Sequence, residues 1–100
     1  MTEELEQNLI DAQFELLLHE KDMHKLQEFL NGLNISDVVE LVDRYPEEGA
    51  VALSNMAIHR ASSVFKLLDL SIQKDVVQDM APYKSAELLN DLSPDDRIDF

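Results

Sequence analysis

The sequence predicts an all-α chain of short helices in repeats of about 24 residues, with a capping helix at its N-terminus. Three observations carry this. First, the stretch from Ala52 to Leu92 repeats itself. Leu53, Met56, Ala61, Val64, Phe65 and Leu68 return 24 positions later as Val77, Met80, Ser85, Leu88, Leu89 and Leu92. At a shift of 23 in the other direction stand Leu30, Leu33, Val38, Leu41, Val42 and Tyr45. A fixed period of this size marks a stacked repeat architecture. Second, Gly 2 and Pro 3 leave little room for long loops, and alternating β-branched runs are few. Third, residues 1–21 lie outside the repeat and have a helical apolar period.

Taken in order, Leu5, Leu9, Ala12 and Leu16 trace one side of a first helix over about residues 3–20, with Ile10, Phe14, Leu17 and Leu18 widening the stripe. Glu3, Glu4 and Glu6 stand in its first turn, where the helix dipole favours anions. This helix should cover the open side of the first repeat. Lys21-Asp22 breaks the chain. A second helix carries Met23, Leu26, Phe29, Leu30 and Leu33, and Asn31-Gly32 suits a left-handed C-terminal cap. Asn34 should cap a third helix, with Asp37 behind it as in a capping box. Pro46 opens a fourth, followed by Glu47 and Glu48. It should present Ala50, Leu53 and Met56 inward. A fifth runs from about Ile58 to Leu68. Asp69 or Ser71 starts the sixth, and Pro82 the seventh, through Asn90. Ser93-Pro94-Asp95-Asp96 is the cleanest helix start in the chain. Only Arg97-Ile98-Asp99-Phe100 follows it. Phe100 falls in an inward register without a partner helix. The expectation is therefore a piece of a longer protein, interrupted before its last repeat: a cap over 1–21 and a repeat domain over 22–100.

One hundred residues with 45% apolar content can form a single thin core. The net charge of −13 argues against nucleic acid, which needs clustered Lys and Arg. Residues 1–50 hold 13 acids and 3 bases, against 8 and 5 in the second half. Such a surface is either a soluble, self-repelling one or a face that meets cations or a basic partner. The absence of cysteine excludes disulfides and thiolate metal sites. No apolar run approaches the ~18 residues of a membrane span, and the acidic N-terminus is unlike a secretory signal.

Candidate chemistry is sparse. His19 and His24 are five apart, which misses the i, i+4 pair of zinc proteases. Ser62-Ser63 is expected to lie in a helix without a base placed to activate it, and no phosphate-binding loop occurs. No enzyme is expected. The methionines Met23, Met56 and Met80 sit at helical core spacing. The acids remain: Glu87 and Asp91 one turn apart, then Asp95 and Asp96. The last two can serve the helix dipole or hold a hard cation such as Mg²⁺, which takes one or two carboxylates and keeps several waters.

Ile35-Ser36-Asp37-Val38-Val39-Glu40-Leu41-Val42, Lys84-Ser85-Ala86-Glu87-Leu88-Leu89-Asn90-Asp91-Leu92 and Ser93-Pro94-Asp95-Asp96 resemble the cytosolic N-terminal domain of MgtE-type magnesium transporters. The resemblance covers about residues 22–100. It implies a right-handed superhelix of short helices that precedes a pair of CBS domains and a homodimeric membrane pore. It further implies that Mg²⁺ binds between this domain and the CBS domains at the cytoplasmic face of the membrane, and that binding favours pore closure. Asp95 matches a family Mg²⁺ ligand and Asp96 is its neighbour. A second family ligand is a Glu in the middle repeat; Ser63 stands there, while Glu40 and Glu87 occupy the corresponding places. Competing readings are a scaffold with short-helix repeats like those of the flagellar rotor switch protein, and a repeat adaptor that holds a peptide on its concave face.

Overall fold

The structure is a computed structural model that describes residues 2–94. The described residues form seven α-helices and one 3₁₀ turn, without a strand. They are α1 (Thr2–Glu20), α2 (Met23–Gly32), α3 (Ile35–Arg44), the 3₁₀ turn (Pro46–Glu48), α4 (Gly49–Ser54), α5 (Ile58–Phe65), α6 (Leu70–Asp79) and α7 (Pro82–Asp91). The expected eighth helix, with Asp95, Asp96 and Phe100, lies outside the described residues.

Helices α2–α3, α4–α5 and α6–α7 are three successive helix pairs in register with the sequence repeat. The second members stack in one row, α3 on α5 and α5 on α7, while α4 packs on α6. The molecule measures 38 × 29 × 20 Å, and its thinnest dimension is two helix diameters. Equivalent positions of the pairs share one environment. Val38, Ala61 and Ser85 are all buried, as are Leu41, Val64 and Leu88. The expected inward set is buried except for Leu33, Val77 and Leu89, which are half-buried against the same core. One equivalence escapes hydropathy: Leu26, Gly49 and Gln73 are equivalent and all buried. Gly49 is there for space. A Cβ on it would stand 2.9 Å from Val76 Cγ2 and 3.2 Å from Val42 Cγ1. Gln73 reaches through the core to donate from Nε2 to the Phe65 carbonyl at 2.7 Å, which satisfies its buried amide.

Helix α1 does cover the first pair, packing on both α2 and α3, through the residues that widen its apolar stripe rather than through the line of Leu5, Leu9 and Leu16. Phe14 and Leu17 are buried and Ile10 and Leu18 are half-buried. Leu5, Leu9 and Leu16 are 62%, 63% and 55% exposed. Both faces are apolar, so periodicity could not choose between them. The face that packs also carries polar contacts to α3. Arg44 on α3 donates from Nε and Nη2 to the Asp11 carboxylate, with distances of 2.6–3.0 Å, and from Nη2 to Gln7 Oε1 at 2.5 Å. Phe14 meets Tyr45 edge to face at 5.6 Å.

The helix ends also correct three expectations. No described glycine has positive φ, Gly32 belongs to α2, and Leu33 ends that helix in an extended conformation. The left-handed turn falls instead at Lys21, φ 58°, before Asp22 caps α2 by accepting from Lys25 N. Pro46 opens a 3₁₀ turn rather than the α-helix itself, and α5 ends at Phe65, three residues early. Asn31 acts across the stack: its Oδ1 accepts from Ala57 N at the start of α5 at 2.9 Å. Arg60 on α5 returns the contact by donating to the Leu30 and Leu33 carbonyls at the end of α2. Each helix end thus meets groups left without an intrahelical partner.

Candidate functional site

Stacking of α5 on α7 brings the first turns of α5 beside the last turn of α7. Asp91 is the hinge of this contact. Its Oδ2 accepts from the Ser62 hydroxyl at 2.5 Å, and its Oδ1 lies 2.8 Å from His59 Nδ1. The Ser62 hydroxyl, donating to it, holds the Asp91 carboxyl below the usual aspartate range; partial burial works against this and His59 adds to it. Ile58, Glu87, Asn90 and Asp91 line an open cavity of about 330 Å³ on the same edge.

Two acids, Glu87 and Asp91, therefore occupy the C-terminal half of α7, which has no basic residue in its last turn. The negative end of the helix dipole disfavours acids there and favours a cation. The chain then leaves through Ser93 and Pro94, both exposed, into Asp95-Asp96. Both of these site candidates lie outside the described residues.

The other positions sort as follows. Glu40, equivalent to Glu87, accepts from Gln7 Nε2 on α1 and is drawn into the cap. Ser63, also equivalent, turns its hydroxyl back to the His59 carbonyl of its own helix at 2.9 Å. His24 pairs with Glu28 one turn away at 3.2 Å and is exposed. His59 and Ser62 are three apart, so the expectation of no base near Ser62 overlooked His59; Asp91, 29 and 32 positions further on, was invisible in sequence because only the stacking of α5 on α7 brings it to them. The cluster is not a nucleophile relay. The Ser62 hydroxyl donates its hydrogen bond to a carboxylate rather than to imidazole, whose Nδ1 faces the same carboxylate. Among the described residues, no group of three or more His, Asp or Glu is placed to hold a metal ion.

Residues 47–100 match the family described as the MgtE intracellular N domain. The chain belongs to that family. Its members are intracellular domains of MgtE-type magnesium transporters, and a parent transporter is implied. The match takes in the 3₁₀ turn, α4 to α7 and the Ser93-Pro94-Asp95-Asp96 segment, and so contains the whole acidic edge. No curated protein and no solved structure matches the chain. Among the described residues, no helix of this MgtE N domain is long and apolar enough to cross a membrane.

Proposed function

We propose that this MgtE N domain is a cytosolic Mg²⁺-sensing regulatory module at the membrane's cytoplasmic face, which meets CBS domains of a homodimeric parent and favours pore closure when Mg²⁺ is plentiful. One observation carries the reading. The acids Glu87 and Asp91 stand at the negative end of α7 without a basic residue in its last turn, directly before Asp95 and Asp96. His59 and Ser62 engage Asp91 there, so the charge left to a cation is chiefly that of Glu87 and of the Asp95-Asp96 pair that follows in sequence.

Asp91 is committed to Ser62 and His59, so a full protein cage would break a structural contact. Asp95 and Asp96 would hold Mg²⁺ through one or two carboxylates, with water and the facing domain completing the shell. The bound ion would supply the positive charge that offsets repulsion between two acidic surfaces. That repulsion matters only where they approach within about a Debye length, ~8 Å at physiological salt.

Calorimetric titration of the isolated chain tests the shared-site idea. Mg²⁺ should give no saturable heat in the micromolar range. Tight binding to this chain alone would contradict it.

A further inference from the structure

We propose that the outward face of α1 is a docking seam for a basic amphipathic helix of a protein partner. Leu5, Leu9, Ala12 and Leu16 are spaced by four, three and four residues, the a/d pattern of a two-helix seam. They lie on one continuous helix of 19 residues, about 28 Å long. All four are exposed, because α1 turns Phe14 and Leu17 toward its own core. The cap therefore has two apolar faces and its own chain uses only one. A stripe with three leucines more than half exposed costs solubility unless something covers it.

Charge selects the occupant. Exposed Glu6 and Glu20 border one edge of the stripe and exposed Glu15 the other. Residues 1–20 contain no Lys or Arg. Two copies packed seam to seam would set glutamates against glutamates, and an anionic lipid surface would be repelled. A helix with leucines on one face and Lys or Arg along both borders satisfies the apolar stripe and the charge together. This reading rests on α1, outside the matched residues 47–100, and is independent of the Mg²⁺ proposal.

The probe is a labelled three-heptad peptide with leucine at a and d and lysine at e and g, followed by fluorescence anisotropy against the full 100-residue chain. Saturable binding is expected. The double substitution Leu9→Gln with Leu16→Gln should weaken it by about tenfold or more, from the lost apolar burial. Glu6→Gln with Glu20→Gln should weaken it and flatten its salt dependence, Glu15 being left in place because it hydrogen-bonds Tyr45. All these sites are exposed, so circular dichroism melts should match the wild type and separate lost docking from lost folding. The proposal is overturned if the peptide does not bind, if a glutamate-flanked peptide binds equally, or if the leucine variant binds unchanged. It is also overturned if sedimentation shows a dimer that the leucine variant dissociates, since the occupant is then a second copy.

Discussion

Phe65 is fully buried where α5 meets the rest of the core, and Phe65→Ala should cost about 3–5 kcal/mol in urea unfolding. Gly49 makes the opposite case. Alanine there must push on Val76 and Val42, both almost wholly buried, so Gly49→Ala should cost about 1–3 kcal/mol by overpacking. The double variant Gly49→Ala, Val76→Ala should lose less than the sum of the two single changes, because shortening Val76 relieves the clash. Strict additivity would show that the close approach is not what keeps Gly49 small. Asp91 gives a pH signature. Its carboxyl is held low in the fold, so its stabilisation is complete above the unfolded value, about 3.9, and is lost as pH falls through the lower folded value. Ser62→Ala removes the largest cause of that shift and should reduce the acid-side loss of stability between wild type and variant. An unchanged acid limb in the unfolding curves would place the shift elsewhere.

At the scale of elements, the helix pairs were legible because the apolar positions recur at a constant shift and because Pro82 and Asp69 punctuate the pattern where helices begin. The facing of α1 was not legible. Leucines on one side and Phe14 with Leu17 on the other give two stripes of equal claim. The face that packs also carries Asp11, whose partner Arg44 lies 33 positions away. The caps were half legible: Asn31 was marked as a helix-end residue, but it serves α5 rather than α2. Asn31→Ala should therefore destabilise by about 1 kcal/mol, the usual value of an N-cap, and hydrogen exchange should loosen at the start of α5. Loosening confined to the end of α2 would contradict the cross-stack assignment. Arg60→Met should act at that end of α2 instead, by freeing the Leu30 and Leu33 carbonyls. Its cost should be moderate, since the Arg60 Nε is itself buried without a hydrogen-bond partner.

Across the whole molecule, family membership and the acidic edge point the same way. The candidate ligands Asp95 and Asp96 rest on the sequence and lie outside the described residues, whereas the engagement of Asp91 by α5 required the stack. With a net charge of −13, the domain should be repelled by any acidic neighbour until cations intervene. The most direct measurement follows protease protection of the junction between this domain and the proposed CBS domains of the full-length parent as Mg²⁺ is raised, comparing Asp95→Ala with wild type. Protection should set in at a higher Mg²⁺ concentration in the variant. The same Mg²⁺ dependence in both proteins would contradict the account by removing Asp95 from the site.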